Sequence, residues 1–138
     1  MTDPTAAHVT RFRVRYSETD QMHSYHHSRV LEWFGCGRTE LIRSRGMTYR
    51  EMESRGVMLP VTLAHIEYTG KAEYDDELEM AVRASMPSRA RLRFDVEIRR
   101  VDTGQAVCTG HTIHAVTNRE GRPIRPPSWL VELMRETH

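Results

Sequence analysis

The chain has 138 residues, the size of one domain able to bury its own core. Apolar residues make up 38% and charged residues 28%, a globular rather than a disordered composition, and no apolar run approaches the roughly 18 residues a membrane span needs. A formal net charge of +1 excludes a general polyanion binder, so neither nucleic acid nor membrane is an expected partner.

The opening residues read as a loose tail over 1–8, with neither a basic nor an apolar leader segment, and the expected location is the cytoplasm. Val9 to Tyr16 alternates, with Phe12, Val14 and Tyr16 on one face and three arginines on the other, which predicts a half-buried strand. Residues 17–28 form a polar junction. From Ser28 to Arg45 the period becomes helical, with Val30, Leu31, Phe34, Leu41 and Ile42 in one stripe. Gly35 and Gly37 interrupt this helix at a cost of about 1 kcal/mol each, and the expected compensation is close approach to a packed neighbour. Gly46 is the predicted cap. Thr48 to Arg55 reads as a second, short helix opened by a capping box of Thr48 and Glu51.

Strands follow. Met58 to Tyr68 has Pro60 near its start, where an edge tolerates it. Glu77 to Met86 points Leu78, Met80, Val82, Ala84 and Met86 inward, and Pro87-Ser88 predicts a turn. Arg89 to Val101 alternates most clearly, and Asp102-Thr-Gly104 signals a hairpin. Ala106 to Asn118 is mixed on both faces, as a central strand covered on both sides would be, and Ser128 to Glu136 predicts a terminal helix. One long helix followed by hairpin-connected strands predicts an α+β domain on an antiparallel sheet. Cys36 and Cys108 lack metal-ligand spacing and are expected to be small buried hydrophobes.

The chemistry concentrates in the junction. Asp20 is a candidate carboxylate at a strand-to-helix transition, where free backbone N–H groups can receive developing negative charge. His23, His26 and His27 have i, i+3, i+4 spacing, which on a helix would offer a metal three imidazoles. The segment reads as a loop without a fixed helical face, so no metal is expected. The basic residues are nineteen arginines and one lysine, Lys71, and arginine makes the better bidentate phosphate contacts.

Val14-x-Tyr16-x-Glu18-Thr-Asp20-Gln-Met22, then His26-His27-Ser28 and Leu31-x-Trp33-Phe34-x-x-x-Arg38-Thr-Glu40, resembles the 4-hydroxybenzoyl-CoA thioesterase family, especially its YbgC-like acyl-CoA thioesterase branch. Tyr68-Thr-Gly-Lys-Ala72, Tyr74-Asp-Asp-Glu-Leu78, Cys108-x-Gly110 and Gly121-Arg-Pro123 are similar to later landmarks of that family. The resemblance implies a single hotdog domain over residues 9–138, a long central helix wrapped by a curved antiparallel sheet. It implies a homodimer or homotetramer with active sites at the dimer interface, and hydrolysis of an acyl-CoA substrate without a cofactor. Asp20 falls on the family's catalytic carboxylate, as nucleophile or general base. His27 falls on the helix-start position whose backbone N–H forms the oxyanion hole, and Tyr16 on a tyrosine near the carboxylate. His26 and Ser28 are expected to bind substrate, and Arg89 and Arg91 to meet the phosphates of CoA. Three positions depart from the pattern: His23-Ser24-Tyr25 replaces Gly-Val-Val, Arg29-Val30 replaces Asn-Tyr, and Gly35 replaces a common glutamate. The alternatives are a non-catalytic acyl-CoA-binding hotdog protein and a hotdog hydratase or dehydratase, although the Gly-Asp-x-Asn-Pro-x-His motif of the latter is absent.

Overall fold

The computed structural model describes residues 7–135. Five strands form one antiparallel sheet in the order β1-β3-β4-β5-β2: β1 His8–Arg13, β2 Val61–Tyr68, β3 Glu77–Ser88, β4 Arg91–Arg100 and β5 Ala106–Ala115. The long helix α1 spans Val30–Ser44, the short α2 Tyr49–Ser54, and α3 Ser128–Arg135. This is the hotdog arrangement. Residues 1–6 of the expected tail and Glu136 of the expected terminal helix lie outside the described residues, and His8 belongs to β1 rather than to a tail.

Alternation builds the sheet. Leu78, Met80 and Val82 of β3 and Leu92, Phe94, Val96 and Ile98 of β4 are all buried, while their neighbours carry charge outward. On the outer face Arg11 pairs with Glu79, Arg93 with Asp95 and Arg99 with Glu97. Exposed pairs of this kind contribute about 0–1 kcal/mol each, so the fold rests on the inner face. Against that face α1 lays Val30, Trp33, Phe34, Leu41 and Ile42, all buried, and each large side chain contributes about 1.5–3 kcal/mol.

Gly37 lets the helix come close. A Cβ there would stand 2.8 Å from Val82 Cγ2 and 3.0 Å from Met80 Sδ. Gly35 departs from expectation, since a Cβ at that position would meet only Arg38 Nη2, at 3.5 Å. Close packing therefore does not account for it. Gly46 and Gly56 end α1 and α2 at φ +90° and +79°, the left-handed region where a side chain is strained. Thr48 caps α2 by accepting from the Glu51 amide at 3.1 Å, while the Glu51 carboxylate accepts from Arg55.

Two further expectations change. β3 runs through Ser88, so the turn falls at Arg89-Ala90 rather than at Pro87-Ser88. Cys36 is exposed on α1, where the neighbouring Gly37 takes the place against Val82 and Met80; Cys108 is buried in β5, and burial pushes its thiol up to about 12. β2, at the sheet edge, exposes both of its faces almost throughout, with Val61, Leu63 and Tyr68 about half exposed.

Candidate active site

β1 delivers the chain to the junction through two bonds to the loop before β3: Val14 N–H donates to Asp76 O at 3.0 Å, and Asp75 N–H to Val14 O at 2.8 Å. The backbone then tightens into a single 3-10 turn, Tyr16–Glu18. The strand therefore ends before Tyr16, whose ring points out rather than into the core. It is 77% exposed and meets the Tyr74 ring edge-on at 5.7 Å.

Asp20 opens a closed loop. Its amide donates to Ser24 O at 2.9 Å, its carbonyl accepts from His23 N–H at 3.0 Å, and its Oδ1 accepts from Met22 N–H at 2.8 Å. The last bond makes Asp20 a turn-forming carboxylate of the usual kind. It also orients the group: Oδ1 is fixed, and no hydrogen bond among the described residues reaches Oδ2. His23 completes the turn at φ +64°, a left-handed conformation that histidine tolerates better than most side chains. That conformation explains why the related pattern places glycine here.

The loop returns through Tyr25. This residue is buried, its amide donates to Ala72 O at 2.9 Å, and burial, reinforced by the neighbouring Cys108 and Tyr68, pushes its hydroxyl up to about 12. His26 N–H then donates to Glu18 O at 2.7 Å, and a second 3-10 turn, His27–Arg29, runs directly into α1. His26 caps that turn with its ring. Nδ1 accepts from Ser28 N–H at 3.1 Å and lies 2.7 Å from Ser28 Oγ. An Nδ1 that accepts a backbone N–H carries no proton, so the ring is the Nε2–H tautomer.

These caps decide which helix-start amide remains available. The amide of His26 goes to Glu18 O, that of Ser28 to the His26 ring, that of Arg29 to His26 O and that of Val30 to His27 O. Among the described residues the His27 amide alone in this run has no acceptor. It sits at the positive end of the helix dipole, with no charge of its own to be satisfied. The His27 ring stacks on His26 at 4.4 Å and meets Tyr68 of β2 edge-on at 6.2 Å. His23 lies in the Asp20 turn, apart from that stack in sequence and in local geometry.

Within one chain, Arg89 and Arg91 are not part of this cluster. Arg89 lies in the β3–β4 turn and Arg91 opens β4, whereas the Asp20 loop adjoins the other end of β3 near Glu77. One residue escaped notice as a functional element. Glu18 is buried, 6% exposed, with Oε2 accepting from Trp33 Nε1–H at 2.8 Å and Oε1 from Arg15 N–H at 2.7 Å. An apolar cavity of about 360 Å³ lies beside it between β1 and α1, walled by Phe12, Trp33, Cys36 and Met80.

The fold and this junction sit on a hotdog scaffold, and the chain belongs to the thioesterase-like superfamily, whose family model matches residues 14–134. Among its relatives, the putative acyl-CoA thioesterase YneP of Bacillus subtilis (strain 168) is 41% identical over 71 residues, which are 50% of this chain and only about half, 51%, of that protein. A putative esterase of Aquifex aeolicus (strain VF5) is 28% identical over 128 residues, 93% of this chain and 98% of that one. The crystal structure of a DHNA-CoA thioesterase from Staphylococcus aureus superposes with a TM-score of 0.83 at 27% identity, covering 91% of this chain and 85% of the other.

Proposed function

We propose that this protein hydrolyses an acyl-CoA thioester to the free acid and CoA. Asp20 Oδ2 promotes attack on the thioester carbonyl, either as the nucleophile or as the base for water, and the His27 amide receives the negative charge that develops on the carbonyl oxygen. The observation that carries this reading is the pairing of a free carboxylate oxygen with a free helix-start amide in one loop, whose two ends are tied by backbone bonds. Relatives named as acyl-CoA and DHNA-CoA thioesterases support the substrate class.

The site is completed by a second copy of the chain. β2 is an edge strand with apolar side chains on display, a surface that an antiparallel β2–β2 pairing across a two-fold axis would cover. Such pairing sets the Val61 end of one subunit beside the Tyr68 end of the other. It thereby carries the β3–β4 turn, with Arg89 and Arg91, toward the other subunit's Asp20 loop, where they would meet the phosphates of CoA. His26 Nε2–H and Ser28 Oγ lie beside the oxyanion position and serve substrate binding, and the exposed Tyr16 ring lies on the approach to Asp20.

The test is thiol release from a panel of acyl-CoAs by the wild type and by Asp20→Asn, which preserves the turn-forming oxygen. Loss of an acid–base group typically lowers the rate by about 10²–10⁴-fold. Equal rates for the two proteins remove Asp20 from the mechanism, and binding of acyl-CoA by the wild type without thiol release favours a binding protein instead.

A further inference from the structure

We propose that Glu18 is a positioning residue for this site, acting through the backbone that presents the His27 amide. A carboxylate is costly to bury unless both oxygens are bonded, and Glu18 meets that condition with donors from two different segments. Oε1 takes the Arg15 amide at 2.7 Å, at the end of β1, and Oε2 takes the Trp33 indole N–H at 2.8 Å, one turn into α1. The same residue's carbonyl takes the His26 amide at 2.7 Å, one residue before the oxyanion donor. Glu18 therefore holds three points at once: where the strand stops, where the helix lies, and where the chain enters the turn that frees the His27 amide. Trp33 is itself fixed, between Phe12 at 5.2 Å and Tyr25 at 5.4 Å, so the carboxylate is braced against the core rather than against a mobile side chain.

The two halves of the site are reached by opposite directions from Glu18. Asp20 follows it by two residues along the chain, and His27 is tied to it across the loop. A shift of Glu18 therefore changes the separation between carboxylate and amide, and a misplacement of about 1 Å in a catalytic constellation costs about 10²-fold in rate. Substrate affinity depends on other surfaces and should not follow. The kinetic consequence rests on the thioesterase reading; the structural one does not.

Glu18→Gln keeps the shape but places an NH₂ against one of the two donors, so one bond is lost and a donor–donor clash replaces it. Trp33→Phe removes the same bond from the other side. For each variant, amide hydrogen exchange and steady-state kinetics on an acyl-CoA are measured together. Exchange at the His26 amide should accelerate at least about tenfold, while exchange at Phe94 and Val96 in β4 stays within about threefold. In the same proteins kcat should fall about 10- to 100-fold with KM within about threefold. Unchanged His26 exchange in both variants overturns the proposal, and so does a uniform acceleration of all three amides or an unchanged kcat alongside a lowered melting temperature. If one variant does not fold, the other carries both measurements. If the wild type releases no thiol from any acyl-CoA, the thioesterase reading fails while the exchange result still decides the role of Glu18.

Discussion

The two glycines of α1 allow a sharp test of how the helix meets the sheet. Replacing either by alanine removes the same backbone penalty, about 1 kcal/mol in a helix interior. At Gly35 nothing opposes that gain, because the added Cβ stands 3.5 Å from Arg38 Nη2, ordinary contact with a movable group. At Gly37 the Cβ arrives 2.8 Å from Val82 Cγ2. Carbon atoms prefer about 3.5–4.0 Å, and a valine in a sheet has little rotamer freedom with which to retreat. Overpacking of this kind costs about 1–3 kcal/mol. Gly37→Ala should therefore be neutral to about 2 kcal/mol destabilising, and Gly35→Ala about 1 kcal/mol stabilising. The two variants should melt about 3–10 °C apart, on the scale of a few degrees per kcal/mol for a domain of this size. Urea unfolding with a shared m-value supplies the free-energy difference directly. Equal stabilisation by both substitutions would refute the claim that α1 needs a bare backbone over Val82.

His114 is 1% exposed, with Nδ1 2.9 Å from Leu59 O and Nε2 2.9 Å from Thr112 Oγ1, and burial, reinforced by the Arg38 charge, holds its protonation below the usual histidine range. Its contribution to stability is then complete above the unfolded value of about 6.5 and is lost as pH falls below it; His114→Gln should flatten the slope of unfolding free energy there by up to about 1.4 kcal/mol per pH unit. In the proposed β2–β2 dimer, a charge on the β2 edge, as in Leu63→Lys, should shift the equilibrium toward monomer in sedimentation and reduce thiol release by more than tenfold, on the order of a lost interface anchor of about 2 kcal/mol. A thiol reagent should label the exposed Cys36 in the native protein and leave the buried Cys108 untouched until it unfolds, as read by mass spectrometry of the modified peptides.

Period and punctuation made most of the fold legible. Alternation at β3 and β4 and the helical stripe of α1, apart from the exposed Leu31, arise from burial on one face, and burial is what sequence pattern records. The misreadings come from residues whose surroundings are set by distant chain. Tyr16 continues the inward face of β1 on paper, but the bonds between Val14 and the loop before β3 end the strand first. Cys36 stands within an apolar stripe, yet Gly37 beside it is the residue that faces the sheet. In the junction, the motif singles out Asp20 and His27 as candidates. Glu18 lies between Tyr16 and Asp20 and looks like one more surface acid; the donor that buries it, Trp33, is fifteen residues away.

The bonds that close the junction loop run largely between main-chain atoms: Asp20 N–H to Ser24 O, Tyr25 N–H to Ala72 O, and His26 N–H to Glu18 O. The spacing of carboxylate and amide is thus written in backbone, not in the side chains between them. Side chains at 21–24 can change without disturbing those bonds, provided that position 23 accepts a left-handed turn. The His23-Ser24 departure is one outcome of that freedom: an altered rim on an unaltered backbone frame.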